Sequence, residues 1–195
     1  MSLSYAILGF LNREPMTGYD LKTRCFDDTA SHFWNADQAQ IYRTLERLEA
    51  KGLVTSDVKV QFGRPDRKVY EVTHKGREAL KEWLAQPRPM PPVRDPQLAQ
   101  LFFSGALPDE DVIALLTSAR EEHQGRLERL RAESRRVSAS LHPHARSKRD
   151  AVLHGMTLAA AVARERATVD WLDDCLETAT AGIPGSPDRT GMAGR

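Results

Sequence analysis

The sequence predicts a mainly α-helical protein with one small β-hairpin, divided into two domains. Three observations support this prediction. Most apolar residues recur every three or four positions, as they do on one face of a helix, whereas they alternate only around positions 54–72. Prolines at 87, 89, 91 and 92 then interrupt the helical pattern. Because such a stretch stiffens the chain into an extended spacer, we place the domain boundary at residues 87–93.

Length and charge limit the possible functions. The 195 residues suffice for two modest cores. A formal net charge of +1 excludes binding to nucleic acid or membrane by bulk charge alone. No uncharged run reaches the ~18 residues of a membrane span, and the N terminus does not resemble a signal peptide. Cys25 and Cys175 suit neither a disulfide framework nor a zinc site. We therefore expect a cytoplasmic protein without cofactor or metal.

Two helices are predicted at the start of the chain. The first has one apolar face, formed by Leu3, Ala6, Ile7, Phe10 and Leu11. After a turn over residues 12–16, Thr17 is suited to cap a second helix and Asp20 stands three residues further on. Leu21 and Cys25 share one face of that second helix.

A third helix is predicted between Asp37, a capping residue, and Gly52, which suits the left-handed turn after a helix end. Its buried stripe consists of Ile41, Leu45 and Leu48. The opposite side carries Gln40 and Arg43, with Tyr42 and Arg47 on its flanks. Arg can bind guanine and Gln can bind adenine, but taken alone this side favours a merely solvated helix face.

A basic β-hairpin follows, and it favours the DNA interpretation. Val54, Val58, Val60 and Phe62 alternate before a turn at 63–66, and Tyr70 and Val72 alternate after it. Between residues 59 and 68 the charge is +3, from Lys59, Arg64, Arg67 and Lys68 against Asp66. Three helices, a basic hairpin and a fourth helix capped by Thr73 are the order of a winged helix-turn-helix, which we place at residues 1–86.

This fold assigns roles to the polar residues. A basic hairpin beside a polar helix face divides into phosphate positioning and base reading. We expect base contacts from Gln40, Arg43 and Arg47. Tyr42 and Thr44 are expected to contact phosphates or the groove edge. Backbone charge is expected to be neutralised by Lys59, Arg64, Arg67 and Lys68.

The second domain, residues 94–179, is predicted to be helical and to dimerise. Asp95-Pro96 opens a short helix, and a long helix after Pro108 has a near-heptad seam from Val112 to Val137. A break at 142–144 precedes a last helix from about Lys148. Its inward stripe is predicted to be Leu153, Met156, Ala160, Ala163, Ala167, Trp171, Leu172 and Leu176. The expected dimer contacts are Leu127, Leu130, Trp171, Leu172 and Leu176. Residues 180–195 are expected to be a disordered tail.

Four aromatic residues are candidates for a small-molecule effector pocket where the two domains meet: Phe33, Trp34, Phe102 and Phe103. A filled core there is an equally good interpretation of the same residues. The histidines lack metal-ligand spacing, and no nucleophile, phosphate cradle or zinc motif of the common enzymes occurs, so neither a metal nor catalysis is expected. The alternative function is a helical protein-interaction adaptor that does not bind DNA.

Two separated motifs resemble those of the PadR family of bacterial transcriptional regulators: IYRTLERLEAKGLV at 41–54 and GRPDRKVYEVT at 63–73. Arg94-Asp95-Pro96, LFF at 101–103 and Trp171-Leu172 resemble the C-terminal helical domain of its larger subfamily. The resemblance implies a homodimeric repressor that binds a palindromic operator and is released by a small effector. Many relatives have Pro where this chain has Arg43, so the base contact at that position does not carry over.

Overall fold

The computed structural model describes residues 2–59, 66–89, 92, 94–139 and 147–186. The chain forms two compact units, Met1–Met90 and Pro91–Arg195, and the division falls inside the predicted proline spacer. Both units contain buried apolar clusters of their own. The predicted fold class is confirmed, because the described residues are mostly helical with one small antiparallel sheet.

The first unit is a helix-turn-helix followed by a β-hairpin and a further helix. The second helix, α2, continues without a break as a π-helix over Leu21–Thr29. The elements in chain order are α1 (Ser2–Leu11), β1 (Met16–Thr17), α2 (Gly18–Asp20), α3 (Gln38–Ala50), β2 (Val54–Lys59), β3 (Arg67–Val72) and α4 (His74–Ala85).

The helix ends follow local signals in the sequence. Thr17, Asp37 and Thr73 each accept a hydrogen bond from the backbone N–H three residues further on, at 3.0, 2.7 and 3.1 Å. These bonds satisfy N–H groups that a helix start leaves without partners. Gly52 ends α3 with a φ of 66°, a conformation that suits glycine because it has no Cβ. The predicted caps of α2, α3 and α4 are confirmed.

The sheet has three antiparallel strands in the order β1-β3-β2. Strand β1, where the sequence predicted only a turn, pairs Met16 with Tyr70. Val54 is buried, but Val58, two pleats further along the same side of β2, is 61% exposed. Only the start of β2 is covered, and the strand then extends into solvent. Val60 and Phe62 lie outside the described residues.

Buried side chains from α1, the π-helix and α3 form the core of the first unit. Ile7, Phe26 and Ile41 are almost completely buried. At its edge, the ring of Tyr5 stacks on Trp83 with centroids 4.9 Å apart. Since α3 is held along its whole apolar stripe, its opposite side faces solvent in a fixed orientation.

The second unit is built on two long antiparallel helices. Its elements are α5 (Pro96–Phe102), a short 3-10 turn (Ser104–Ala106), α6 (Asp109–Ala139) and α7 (Lys148–Thr180). Val112 and Leu116 of α6 pack against Leu172 of α7, and Leu130 packs against Leu158 at the other end. Despite this length, no helix among the described residues is apolar enough to cross a membrane.

Helix α7 is rotated relative to the prediction. Most of the predicted inward stripe is exposed, including Leu153 at 48% and Met156 at 62%. The face that packs against α6 carries Leu158, Ala161 and Val169 instead. The helix therefore has two apolar stripes, and the described residues of the chain cover only one of them.

The structure also differs from the prediction in the tail. Residues 181–186 return to the start of α6, where Ile183 N donates to Asp109 Oδ2 at 3.0 Å and Asp109 N donates to Ser186 Oγ at 3.2 Å. These contacts join the segment after the C-terminus of α7 to the N-terminus of α6. Residues 187–195 and the predicted break at 142–144 lie outside the described residues.

Candidate nucleic-acid interface

The outer side of α3 presents the three predicted base-reading residues. Gln40, Arg43 and Arg47 are exposed, while Ile41 and Leu45 on the opposite side are completely buried. An α-helix with a fixed core face and long hydrogen-bonding side chains on its outer face has the shape and chemistry to enter a major groove.

The two residues expected at the groove edge occupy different environments. The Tyr42 ring is partly exposed and lies over Gly18, where an added Cβ would be 2.6 Å from Tyr42 Cε1. Thr44 is only 2% exposed, and its hydroxyl accepts a hydrogen bond from Arg47 Nη2 at 3.1 Å. Thr44 is therefore not placed for a DNA contact, because it lies only 60° around the helix from the buried Ile41.

A groove of about 450 Å³ runs between the start of α1 and α3. Arg43 and Arg47 on α3 line it together with Lys51, which directly follows α3, each four residues from the next, and Leu3 and Ser4 line it on α1. Sequence reasoning missed Lys51, although its spacing from Arg47 was a usable signal. One flank of α3 therefore carries a row of three cations.

In the hairpin, referred to below as the wing, the basic residues differ in how they are engaged. Lys59 is exposed, and Arg64 lies outside the described residues. Arg67 Nη2 donates to Asp20 Oδ2 at 3.0 Å. Partial burial would raise the pKa of Asp20, but hydrogen bonds from Thr17 and the positive charge of Arg67 lower it overall.

Lys68 is engaged with α3. Its Nζ donates to Glu49 Oε2 at 2.8 Å and lies 5.0 Å from the centre of the Tyr70 ring. The hydroxyl of Ser56 donates to the other oxygen, Glu49 Oε1. Hydrogen bonds from Lys68 and Ser56 lower the pKa of Glu49, and the bond to Glu49 raises the pKa of Lys68. Sequence reasoning missed Glu49 and Ser56, because each carried no signal by itself.

The predicted effector residues lie in both units. In the first unit, Phe33 is half-exposed and Trp34 packs against the core. In the second unit, Phe102 and Phe103 are 81% and 77% exposed and meet edge to face, with centroids 5.0 Å apart. Two adjacent exposed rings offer a surface suited to an apolar contact.

Most of the predicted dimer residues are covered by their own chain. Leu127, Leu130 and Leu172 are buried within the second unit, and Leu176 packs against its core. Only Trp171 is exposed.

An exposed third helix with two arginines, followed by a basic hairpin, defines a winged-helix DNA-binding protein. Residues 7–82 match the model of the transcriptional regulator PadR-like family, and residues 93–180 match that of the virulence activator alpha C-terminal domain. The chain belongs to the PadR-like family and is a DNA-binding transcriptional regulator. The family and its relatives are regulators and not enzymes.

Relatives match over nearly the whole chain. The negative transcriptional regulator PadR of Bacillus subtilis is 31% identical over 175 residues, covering 89% of this chain and 95% of the relative. The probable transcriptional regulator Rv1176c of Mycobacterium tuberculosis is 35% identical over 190 residues, covering 91% and 97%.

Crystal structures of B. subtilis PadR are similar in fold. The complex with operator DNA has a TM-score of 0.79 at 27% identity, covering 92% of this chain and 99% of that chain. The complex with p-coumaric acid has a TM-score of 0.75 at 28% identity and the same coverage. The two-unit helical architecture is therefore that of a known DNA-binding regulator.

Proposed function

We propose that this protein represses transcription by binding a palindromic operator as a homodimer, and that a small molecule releases it. The observation that carries the proposal is the exposed face of α3, on which Gln40, Arg43 and Arg47 stand clear of the core. Arg can donate two hydrogen bonds to guanine, and Gln can pair with adenine. The negative regulation ascribed to the B. subtilis relative supports repression.

In this proposal, the residues that contact phosphates lie around the exposed face of α3. Tyr42 lies at the edge of α3, and Lys59 is exposed on the wing. We assign Arg64 to the same role from its position in the sequence between β2 and β3. Arg67 and Lys68 lie on the wing as well, but their charges face Asp20 and Glu49.

The uncovered stripe of α7 supports the homodimer. Its residues are spaced by three or four positions, as in a helix-helix seam: Leu153, Met156, Ala160, Ala163, Ala167 and Trp171. All six are exposed in the single chain. A second copy of the same helix presents the same stripe and can cover it in a two-fold arrangement.

The effector in this proposal is a small aromatic molecule. The B. subtilis relative is known in complex with p-coumaric acid, an aromatic carboxylic acid. Phe102 and Phe103 offer exposed rings for such a ligand. The double variant Phe102→Ala/Phe103→Ala should keep operator binding and lose release by the ligand, as measured by titrating ligand into the protein-DNA complex. Release at the wild-type ligand concentration would contradict this assignment.

The operator itself can be found by experiment. Purified protein is mixed with fragmented genomic DNA, and the retained fragments are sequenced. The expected result is one enriched motif with two-fold symmetry. Its affinity should fall with salt with a log-log slope near −0.9 for each neutralised phosphate. Retention of fragments without a common motif, or binding that is insensitive to salt, would contradict the proposal.

A further inference from the structure

The exposed surface of α3 is divided by charge. Arg43, Arg47 and Lys51 lie on the flank that borders the α1 groove. On the other flank, one turn apart, lie Glu46 and Glu49. Two carboxylates on a helix that enters DNA repel phosphates, so their presence requires an explanation.

Glu49 uses both carboxylate oxygens to bind the wing. Oε1 accepts from the hydroxyl of Ser56 on β2, and Oε2 accepts from Lys68 Nζ on β3 at 2.8 Å. Both strands of the hairpin are thereby tied to the C-terminal half of α3. A charged group bound by two donors from different strands restricts the hairpin more than a single surface ion pair does.

Arg67, the residue before Lys68, attaches the wing to a second helix. Arg67 Nη2 donates to Asp20 Oδ2 at 3.0 Å, and Asp20 is itself fixed by Thr17 at the start of α2. Successive side chains of a strand point to opposite sides, so Arg67 and Lys68 reach different helices from adjacent positions. The first two residues of β3 are thus attached to α2 through Arg67 and to α3 through Lys68.

We propose that Glu49 is a positioning residue for DNA binding, and that it orients the wing through Lys68. In this role Lys68, like Arg67, aligns the wing and does not neutralise a phosphate. The inference rests on the proposed operator binding. It corrects the expectation that all four basic residues of the wing contact the DNA backbone, and leaves that role to Lys59 and Arg64.

The two possible roles of Lys68 predict effects of opposite sign at Glu49. If Lys68 binds a phosphate, Glu49 competes with the DNA, and removing its charge strengthens binding. If Glu49 positions the wing, removing its charge releases Lys68 and weakens binding. The direction of the change therefore distinguishes the two roles.

The test uses Glu49→Gln in the full chain, with Glu46→Gln as the matched control. Both variants remove one carboxylate from the same flank, but no described residue forms an ion pair with Glu46. We expect operator affinity to fall about three- to tenfold for Glu49→Gln, the range of a charge-assisted hydrogen bond at a partly exposed site. Glu46→Gln should bind at least as tightly as the wild type. Equal or tighter binding by Glu49→Gln would overturn the proposal.

A second variant and a footprint exclude a merely structural effect. Lys68→Met should weaken binding without changing the salt slope, whereas loss of a phosphate contact would flatten the slope by about one unit and overturn the proposal. Hydroxyl-radical footprints of Glu49→Gln should lose the protection given by the wing and keep that of the major groove. Uniform loss of protection would show a folding defect and overturn the positioning role. If the wild type shows no operator preference, the proposed function itself fails.

Discussion

Arg43 and Thr44 are neighbours on α3, yet only Arg43 is exposed. One residue turns the helix by 100°, which carries Thr44 into the core and leaves Arg43 exposed. Both were predicted as contacts, because residue type does not reveal how far the covered side of a helix extends. The exposed Arg43, Gln40 and Arg47 were predictable from the helical period alone.

Arg43 and Lys59 are expected to respond differently to substitution. Arg43→Ala should weaken the binding free energy for the operator by about 1–3 kcal/mol and relax the sequence preference at one base pair, because a base contact is lost. Lys59→Ala should weaken operator and random DNA alike and reduce the salt slope by about one unit. Titration of both duplexes over a series of salt concentrations measures both effects. Equal losses on the two duplexes for Arg43→Ala would contradict its role in base reading.

Gly76 and Gly9 are expected to respond in opposite ways to alanine. A Cβ at Gly76 would lie 2.0 Å from the carbonyl oxygen of Leu53, a backbone atom that cannot rotate away. Gly76→Ala should therefore lower the free energy of unfolding by about 1–3 kcal/mol. Outside the neighbouring residues and the backbone of α1 itself, no heavy atom lies within 4 Å of a Cβ at Gly9, so Gly9→Ala should raise the free energy of unfolding by about 0.5–1 kcal/mol. Urea unfolding of both variants checks this, and a stable Gly76→Ala would show that the helix shifts freely.

The carboxyl group of Asp20 is expected to make the stability of the fold depend on pH. Its pKa is lowered in the folded protein, because its bonds with Thr17 and the charge of Arg67 outweigh partial burial. Such a carboxyl adds stability above its unfolded pKa, and that stability is lost as the pH falls through the folded pKa. Asp20→Asn should lower Tm at pH 7 and narrow the difference in Tm between pH 7 and pH 3. Asp28→Asn, at an exposed site, is the control. If Asp20→Asn left the difference in Tm between pH 7 and pH 3 unchanged, the stability of the fold would not depend on the ionisation of Asp20.

At the scale of elements, the sequence predicted what is local and missed what depends on distant residues. The caps at Thr17, Asp37 and Thr73 were predictable, because each side chain binds an N–H three residues away. Strand β1 was missed, since only its pairing with the distant Tyr70 defines it. For the same reason, no local pattern predicted the hydrogen bond between Lys68 and Glu49.

Helix α7 shows the limit of periodicity as evidence. A period of 3.6 residues indicates an apolar stripe, but α7 has two, one through Leu158 and Val169 and one through Leu153 and Met156. The choice between them depends on where α6 packs. One buried acidic residue marks the covered stripe, since Glu165 lies within it and faces His123 and Arg126 of α6.

Glu165 is expected to stabilise the junction of α5, α6 and α7. Its Oε2 lies 2.7 Å from His123 Nδ1, and its Oε1 lies 3.1 Å from Arg126 Nε. The other ring nitrogen, His123 Nε2, lies 2.9 Å from Gln97 Oε1 on α5. Glu165→Gln keeps the shape and removes the charge that these groups face, so the free energy of unfolding should fall by about 1–3 kcal/mol.

Asp170→Asn on the same helix is the control for Glu165→Gln. Asp170 pairs with Arg166 at 3.8 Å, but both side chains are largely exposed. Exposed pairs of this kind contribute little, and Asp170→Asn should change stability by no more than about 0.5 kcal/mol. Thermal unfolding of the two variants at one protein concentration makes the comparison. Similar losses of stability for both variants would show that the contribution of Glu165 does not depend on its burial.

At the scale of the whole molecule, the proposed binding of a palindromic operator requires two copies of the chain. A palindromic operator presents half-sites about 34 Å apart along the duplex, and one helix-turn-helix reaches only one of them. The proline spacer made the division into two units predictable, and the face of α3 made DNA binding predictable. The proposed dimer face could be identified only from the structure, because the packing of α6 shows that Leu153 and Met156 stay exposed.

The last prediction concerns this dimer face. Leu153 and Met156 are exposed on α7, so Leu153→Asp/Met156→Asp should leave each unit folded while placing charges in the seam. In a two-fold dimer the substitution acts on both sides at once, so four carboxylates would meet and the dimer should dissociate. Sedimentation should then give the 21.9 kDa monomer, with operator binding reduced to that of a single half-site. Leu84→Asp, at an exposed site on α4, should leave assembly unchanged. A double variant that remains dimeric and binds the operator normally would show that α7 is not the dimer face.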